Sequence, residues 1–332
     1  MKAAVIGSGG WGTALAIALH RNGHDTVLWS HNSQKAEAVE QSRENPMLPG
    51  IPLPDGLKVT GDDGCVAGRK LVVIASPSVH IRSVCRRVAP HLDRDAVMVS
   101  VTKGIEQDTF LRMSQIVEEE THRPVVALTG PSHAEEVARQ IPTGCLAACA
   151  DKALAEMVQD AFMSDTFRIY TSPDVVGAEL GGATKNVIAI CAGAIDGLGY
   201  GDNTLAMLMT RGLTEIARLG MAMGANKDTF AGLAGIGDLI VTCSSRHSRN
   251  RRAGVYLGQG MDTRQALEKV GTAVEGYYAA ASVRALAKKA GVEMPIVEAA
   301  YQVLYTDTAA EQAVSALLHR QRRPESEDVG WL

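Results

Sequence analysis

The sequence predicts an α/β N-terminal domain with a mostly parallel sheet, followed by an all-α C-terminal domain. Short apolar runs bounded by glycine or proline recur through the first half of the chain, with helix-like stretches between several of them. Ten of the twelve prolines lie in the first 173 residues, so loops are expected to be frequent there. After Tyr170 the apolar residues follow helical spacing. We therefore expect one domain over residues 1–180 and another over residues 181–332.

The predicted elements follow from these patterns. Seven apolar runs have the length and the Val and Ile content of buried strands: Lys2–Ile6, Thr26–Trp29, Leu71–Ala75, Val97–Val101, Val125–Leu128, Cys145–Cys149 and Arg168–Tyr170. Helices are expected between strands, at Thr13–Asn22 and Val79–Ala89. In the second half, Ser172 and Pro173 suit the N-cap and first position of a helix. Helical spacing then covers Val175–Leu180, Thr184–Ile195, Asn203–Met223, Thr263–Lys269, Val274–Ala290 and Ile296–Leu304.

Composition narrows the class of protein. The 33 basic and 37 acidic residues give a net charge of −4, which argues against a globally basic nucleic-acid binder. The longest apolar run, Val187–Ile195, is shorter than the roughly 20 residues that a membrane-spanning helix needs, so no membrane insertion is expected. Residues Lys2 to Gly7 already fit a first strand, so no signal peptide is expected. Its six cysteines form no Cys-x-x-Cys pair, so we expect free thiols and a cytoplasmic location.

A glycine-rich segment follows the first predicted strand. Gly7-x-Gly9-x-x-Gly12 leads into an Ala-rich helix, and each glycine has its own physical role. Gly7 permits a tight turn, Gly9 lets the backbone approach a pyrophosphate, and Gly12 lets the helix pack closely on the strand. The free N–H groups of the helix N-terminus favour phosphate groups. The segment predicts a Rossmann-like dinucleotide site, with a purely structural glycine turn as the alternative.

The end of the second predicted strand bears on the choice of dinucleotide. NAD-specific sites usually carry Asp or Glu there to hold the ribose hydroxyls. This chain has Trp29-Ser30-His31-Asn32 instead. His31 is therefore a candidate neighbour of a 2′-phosphate, which favours NADP over NAD, although it could also be a surface loop residue.

Two more predicted strands end in candidate ligand-binding residues. Ser100–Gly104 places Lys103 just beyond a strand, and Leu128–Ala134 places Gly130 and Ser132 in the same way. In open α/β sheets, ligands bind beyond the carboxyl ends of the strands. The alternatives are an exposed lysine that closes a strand and a serine that caps the following helix.

The helical half adds a lysine, an aspartate and an arginine cluster. Lys185 lies in Gly181–Asn186, which is predicted to open a helix of small residues, and Asp238 lies in Gly235–Cys243. Ser248-Arg249-Asn250-Arg251-Arg252 is locally basic, and a guanidinium group matches a phosphate in bidentate fashion. A solvated helix face is the alternative for these arginines. Nucleic-acid binding is not expected, because the surrounding chain is acidic and offers no aromatic platform.

Taken together, these segments resemble a known family. The glycine loop with Trp11, residues 100–106, 129–134, 183–186, 237–243 and 248–252, and Val-Glu-Gly at 274–276 occur in order along residues 1 to about 305. In this combination the chain is similar to bacterial-type NAD(P)-dependent glycerol-3-phosphate dehydrogenase. Position 11 departs slightly from the family, which often has another aromatic residue there.

The resemblance implies reversible reduction of dihydroxyacetone phosphate to sn-glycerol 3-phosphate, a phospholipid precursor, in a helical substrate and catalytic domain. By position, Lys185 matches the catalytic lysine. The positions that match substrate contacts are Lys103, Gly130, Ser132, Lys185, Asp238, Ser248, Arg249 and Asn250. Those expected at the cofactor are Gly7, Gly9, Gly10, Trp11, Gly12, His31, Lys103, Ala134, Arg249, Ala273 and Glu275. NADPH is favoured, and no metal is expected.

Other functions compete with this interpretation. A dehydrogenase of the same fold acting on a 3-hydroxy acid would also use a lysine in its second domain, but its substrate carries no phosphate. A nucleotide-sensing protein without catalysis would not need Lys185, Lys103 or Asp238. Metal-dependent catalysis lacks support, because the nine histidines are scattered and Cys145 and Cys149 fall in a predicted strand. A homodimer is expected only from the general preference for two-fold assemblies.

Overall fold

An eight-stranded sheet organises the N-terminal half of the chain. The computed structural model describes residues 1–306, 308–321 and 325. The strand order is β3-β2-β1-β4-β5-β6-β7-β8. All neighbouring strands are parallel except β6 and β7, so the prediction of a mostly parallel α/β sheet is confirmed. The strands are β1 Lys2–Ile6, β2 Asp25–Trp29, β3 Lys58–Thr60, β4 Leu71–Ile74, β5 Val97–Ser100, β6 Val125–Thr129, β7 Thr143–Ala148 and β8 Phe167–Ser172.

Helices flank this sheet and then form the C-terminal half. Those of the first half are α1 Gly10–Arg21, α2 Ser33–Ser42, α3 Ile81–Val88, α4 Met113–Thr121, α5 Ala134–Ala138 and α6 Lys152–Phe162. Those of the second half are α7 Val175–Gly197, α8 Asp202–Ala222, α9 Asp238–Ser244, α10 Arg249–Gly258, α11 Thr263–Val270, α12 Glu275–Lys289, α13 Pro295–Tyr305 and α14 Ala310–Leu318. Beyond β8 the described residues contain no strand, which agrees with the predicted all-α half.

The buried strands explain why the sequence pattern identified the sheet. Every residue of β4 and β5 is buried, because side chains on both faces of these central strands pack against helices. Val73 and Val99 belong to the apolar layer on one face, and Val72 and Met98 to the layer on the other. Because β1, β4, β5 and β6 are parallel, their carboxyl ends lie along one edge, where the end of β4 separates the glycine loop from the Lys103 segment.

Helix α7 runs through the centre of the helical half and corrects two predictions. It begins at Val175, and the Asp174 side chain accepts its first N–H bond, from Gly177 at 2.9 Å. Ser172 is the last residue of β8, paired with Ala148, so Ser172 and Pro173 are not the N-cap and first residue. Asp174 is better placed, because its negative charge faces the helix N-terminus.

The second correction concerns the Gly181-Gly182 pair, which lies inside α7 and does not open a new helix. Tertiary packing overrides the weak helix propensity of glycine there. A Cβ at position 181 would come within 2.4 Å of the Ala234 carbonyl oxygen. The predicted division at residue 180 falls inside this helix, and the two-domain division stays a prediction. Residues 307, 322–324 and 326–332 of the predicted second domain lie outside the described residues.

Helices α7 and α10 approach each other more closely than side chains would allow. A Cβ at Gly193 would lie 1.9 Å from the Arg251 carbonyl oxygen, and one at Gly254 would lie 2.0 Å from that of Ile190. Both obstacles are backbone atoms, which cannot swing aside as the end of a flexible side chain can. The two helices are therefore in direct backbone contact, and their relative position is fixed.

One described helix, α7, is long and apolar enough to cross a membrane by length and composition, but 83% of its most apolar window is buried inside the fold. It is the core helix of the C-terminal half. All six cysteines lie within the described part of the chain and are free thiols, as predicted.

Candidate active site

The glycine loop has the geometry expected for close ligand approach. Gly7 has φ +125°, which side chains rarely adopt, and a Cβ there would meet the Ala75 carbonyl oxygen at 2.5 Å. A Cβ at Gly12 would lie 1.9 Å from the Gly7 carbonyl oxygen, so this glycine allows α1 to pack against the turn. The position of a Cβ at Gly9 is open, with no atom within 4 Å. The loop is thus closed where the fold packs and open where a ligand would lie.

Lys103 and Gly130 meet beyond the ends of β5 and β6. The Lys103 ammonium donates to the Gly130 carbonyl oxygen at 3.0 Å and to Asp238 Oδ2 at 2.6 Å. Gly130 adopts φ +140°, and a Cβ there would lie 3.0 Å from Cys145 Cα. Ser132 Oγ also donates to the Gly130 carbonyl, at 2.9 Å. These strand ends therefore point one cation toward the helical half.

Lys185 lies in the middle of α7 and is only 5% exposed. Its Nζ donates to Asp238 Oδ1 at 2.7 Å and to Thr242 Oγ1 at 2.5 Å. Thr242 in turn donates to the Asp238 backbone carbonyl at 2.6 Å. An ammonium has three protons. Asp238 and Thr242 take two of them, so the third can be given to a ligand.

The charges of this centre shift each other's pKa values inside the protein. Burial lowers the pKa of the Lys185 ammonium to about 8, against the opposing effect of Asp238, and Lys103 lowers it further. Burial would raise the pKa of the Asp238 carboxyl, but Lys103 and Lys185 hold it below its ordinary value. The centre therefore contains an ionised carboxylate between two lysines, one of which can lose a proton near neutral pH.

Local backbone features bring these groups together. A π-helical turn, Leu233–Gly237, leads directly into α9 and presents Asp238 as its first residue. Such turns are frequent at functional sites. On α7, a Cβ at Gly182 would lie 3.0 Å from Thr129 Oγ1 and 3.5 Å from Lys103 Cγ. The missing side chain at Gly182 leaves room for Lys103 to cross toward Asp238.

The first turn of α10 carries the predicted phosphate-binding residues. Ser248 is its N-cap and accepts the Arg251 N–H at 3.2 Å, while its hydroxyl proton remains available. Arg249 is exposed at the helix N-terminus. Arg251 instead pairs with Asp196 at 2.9 Å. Arg249 therefore faces solvent and can meet a ligand, whereas Arg251 is held in an ion pair within the fold.

A chain of amides connects this turn to α7 and α12. Asn250 Nδ2 donates to Asn186 Oδ1 at 2.9 Å, and Asn250 Oδ1 accepts the Gly276 N–H at 2.9 Å. Asn186 follows Lys185, and Gly276 follows Glu275. Lys185, Arg249 and Glu275 are therefore held in a fixed arrangement by their neighbours.

Most of the residues predicted for the site are brought together. Lys103, Gly130, Lys185 and Asp238 are in direct contact, and Ser132 joins them through Gly130. Ala134 lies near the glycine loop, 3.7 Å from the position of a Cβ at Gly10. Trp11 is packed against the sheet's core, and Ala273 is partly buried just before α12. His31 is exposed beyond β2, and no hydrogen bond or ion pair joins its side chain to another described residue.

Three contributing residues were not predicted: Thr242, Asn186 and Ser78. Thr242 follows Asp238 by four residues, a spacing that puts both on one helix face and could have identified it. Asn186 pairs with Asn250, which no sequence pattern indicates. Ser78 lies beyond β4 and donates to Glu275 through its backbone N–H at 3.0 Å and its hydroxyl at 2.5 Å. The strand-end rule that singled out Lys103 also applies to Ser78.

Comparisons with known proteins agree with this geometry. The model of the NAD-dependent glycerol-3-phosphate dehydrogenase N-terminus matches residues 2–155, and that of the C-terminus matches residues 174–315. A glycerol-3-phosphate dehydrogenase [NAD(P)+] of Desulfitobacterium hafniense is 48% identical, over 100% of this chain and 95% of its own length. One from Pelotomaculum thermopropionicum is 50% identical, over 99% and 96%.

Solved structures give the same result. The crystal structure of glycerol-3-phosphate dehydrogenase from Coxiella burnetii is similar with a TM-score of 0.92 and 37% identity, covering 96% of this chain and 99% of that one. A ketopantoate reductase from Ralstonia eutropha has a TM-score of 0.62 at 16% identity, covering 95% of this chain and 100% of that one. That second likeness extends to the fold alone.

Proposed function

We propose that Lys185 is the proton donor in the reaction of this chain, which belongs to the NAD-dependent glycerol-3-phosphate dehydrogenase family. That reaction is the NAD(P)H-dependent reduction of dihydroxyacetone phosphate to glycerol 3-phosphate. The observation that carries this proposal is the Lys185–Asp238–Lys103 centre, with a buried ammonium that keeps one proton for a ligand. Because glycerol 3-phosphate is the backbone precursor of glycerophospholipids, we infer a role in phospholipid biosynthesis.

The residues present fit a dinucleotide. The open space at Gly9 and the free N–H groups at the start of α1 suit a pyrophosphate. Gly7, Gly10, Trp11, Gly12 and Ala134 would surround it, with Glu275, Ala273, Lys103 and Arg249 on the side of the helical half. When bound, the nicotinamide supplies the hydride. What remains for the protein is to bind the substrate, orient its carbonyl group and provide a proton.

Lys185 supports the reaction in two ways. As hydride reaches the carbonyl carbon, negative charge develops on the carbonyl oxygen, and a nearby ammonium stabilises it. The same ammonium then gives its proton to that oxygen as a general acid. Its pKa of about 8 suits this role, because the group is protonated at neutral pH and yet releases its proton readily. Asp238 and Thr242 fix the orientation of Nζ.

Lys103 has a second, complementary role. Its ammonium shares the carboxylate of Asp238 with Lys185 and is more exposed than Lys185. It lowers the pKa of Lys185 and thereby favours proton release. Two of its protons are bound by Asp238 and Gly130, so the third is available to the substrate oxygen atoms. Gly130 and Ser132 would line the same position.

The substrate phosphate is assigned to the start of α10. Ser248, the exposed Arg249 and the free N–H groups of the first helical turn form an anion site, and Asn250 lies directly behind it. The amide chain through Asn186 sets the distance between this site and Lys185. A phosphate at one end and a carbonyl at the other match a short phosphorylated ketone.

Three finer features complete the proposal. NADPH is favoured over NADH, because no acidic residue stands at the end of β2 and exposed His31 offers a neighbour for a 2′-phosphate. The expected location is the cytoplasm, in keeping with the free thiols. The expected assembly is a homodimer, on the general preference for two-fold symmetry.

The direct test is the absorbance of reduced nicotinamide in the presence of dihydroxyacetone phosphate. We expect rapid oxidation of NADPH, slower oxidation of NADH at equal low concentrations, and no turnover with an unphosphorylated keto acid. Turnover of the keto acid in place of the phosphorylated ketone would overturn the substrate assignment. A strong preference for NADH would contradict the role of His31.

A further inference from the structure

The cofactor side of the cleft contains a contact between the two halves of the chain. Ser78 lies just beyond β4, in a short 3₁₀ turn, Ser78–His80, that follows the sheet edge. Glu275 is the first residue of α12 in the helical half. The Ser78 backbone N–H donates to Glu275 Oε1 at 3.0 Å, and its hydroxyl donates to Oε2 at 2.5 Å. Both carboxylate oxygens are therefore held by one residue, 197 positions away in sequence.

Ser78 is also packed against the loop that carries Lys103. A Cβ at Gly104 would come within 2.6 Å of Ser78 Cβ, so Ser78 is packed against the residue that follows Lys103. Thr102 Oγ1 donates to the Ser76 carbonyl oxygen at 2.8 Å and ties the same two loops together. Ser78 is thus fixed from one side by the Lys103 loop and holds Glu275 on the other.

The chemistry of Glu275 limits what it can bind. An ionised carboxylate only accepts hydrogen bonds, and each oxygen has two acceptor positions. Ser78 occupies one position on each oxygen, which leaves one on each for a ligand. In a dinucleotide the available donors are the ribose hydroxyls and the amino groups of the carboxamide and of adenine, because ionised phosphates have none. The fixed carboxylate of Glu275 would therefore favour donor groups that lie in line with its two free acceptor positions.

We propose that Ser78 is a positioning residue of the cofactor site, acting through Glu275. This inference rests on the proposed function, and in particular on a dinucleotide lying beside Glu275. Burial raises the pKa of the Glu275 carboxyl above its ordinary value, and the two bonds from Ser78 oppose this rise, as do Arg249 and His80. Ser78 thereby favours the ionised, accepting form of Glu275 as well as its orientation.

The test is a double-mutant cycle read by equilibrium binding of NADPH, followed through the fluorescence of the nucleotide. Ser78→Ala removes the hydroxyl bond and keeps the backbone bond, so the fold is expected to persist. We expect the Kd for NADPH to rise about 5- to 20-fold. The lost hydrogen bond is to the charged Glu275, and it affects NADPH only through the orientation of that carboxylate. The KM for dihydroxyacetone phosphate and kcat at saturating NADPH should stay within about twofold of wild type.

The second half of the cycle uses Glu275→Ala. In that background Ser78→Ala should change the Kd less than about twofold, because a residue that acts through Glu275 has nothing left to orient. Glu275→Asp tests the same contact by changing Glu275 instead of Ser78. It keeps the charge but withdraws the carboxylate from Ser78, so the Kd for NADPH should again rise. The matched control is Ser83→Ala, which removes a nearby serine hydroxyl that donates to the His80 carbonyl oxygen at 2.9 Å and not to Glu275.

Several results would overturn the inference. An unchanged Kd for Ser78→Ala, a tighter Kd, or an effect that simply adds to that of Glu275→Ala would each exclude positioning through Glu275. Wild-type protein that binds NADPH but does not reduce dihydroxyacetone phosphate would overturn the proposed function and leave this binding test intact. Wild-type protein that binds no NADPH would overturn both.

Discussion

The two ends of the predicted substrate site hold their positive charges in different ways. Lys185 is buried, shares Asp238 with Lys103, and has its pKa lowered to about 8 by burial. Arg249 is exposed at the start of α10, and Ser248 beside it caps the helix and keeps its hydroxyl proton for a ligand. A buried charge can be tuned for proton transfer, because desolvation changes its pKa, whereas an exposed guanidinium stays charged and can only bind. We therefore expect Lys185 to act in proton transfer and Arg249 to bind the substrate phosphate.

The largest expected effect comes from removing the buried lysine. Lys185→Ala should lower kcat by about 10² to 10⁴, the usual contribution of a general acid, while NADPH binding stays close to wild type. Steady-state rates and NADPH fluorescence measure the two quantities. Lys152→Ala, an exposed lysine on α6, is the matched control and should have wild-type kcat. Near-wild-type turnover of Lys185→Ala would remove Lys185 from the reaction.

Arg249→Ala should show the opposite pattern. Loss of one charge-assisted hydrogen bond, worth about 1.5–3 kcal/mol, should raise the KM for dihydroxyacetone phosphate roughly 10- to 150-fold. We expect a much smaller change in kcat, because the ammonium of Lys185 is untouched. Initial rates over a wide range of substrate concentration separate the two parameters. Equal falls in kcat and kcat/KM would mean that Arg249 acts in the transition state and that the two ends are not separate.

The smallest effect, and the sharpest test of the comparison, is in the pH profile. Reduction needs Lys185 protonated, so kcat should fall about tenfold per pH unit above the pKa of about 8. Oxidation of glycerol 3-phosphate needs the neutral amine, so its kcat should rise toward the same pH. Arg249→Ala should keep this inflection. Lys185→Arg should lose it, because a guanidinium stays protonated throughout. An inflection that survives Lys185→Arg belongs to another group.

The sequence predicted the fold well where burial follows chain periodicity. Strands such as β4 and β5 are apolar at every position and were recognised. The edge strand β3 was missed, because its three residues bury only Val59. Helix α2 buries only Ala36 and Val39, too few to produce a helical pattern. At Gly181 and Gly182, packing against neighbouring elements outweighs the low helix propensity of glycine. The prediction that a helix starts there was therefore wrong, because both residues lie inside α7.

The residues of the site were predicted mainly through the resemblance of the chain to a family. The sequence did not indicate which of these residues contact each other. Lys185 and Asp238 are 53 positions apart, and Lys103 and Asp238 are 135 apart, so nothing local indicates that one carboxylate serves both lysines. The lowered pKa of Lys185 depends on burial, which is a property of the folded state. Thr242 is different, because its four-residue spacing from Asp238 was visible in the chain.

The backbone contact between α7 and α10 would set the distance between the two ends of the predicted substrate site. Lys185 lies on one of these helices and Arg249 begins the other, and at Gly193 and Gly254 the helices touch without side chains between them. Any larger residue there would push the helices apart and lengthen the span from proton donor to phosphate. The close contact at Gly193 and Gly254 would therefore limit the length of the substrate that fits the predicted site.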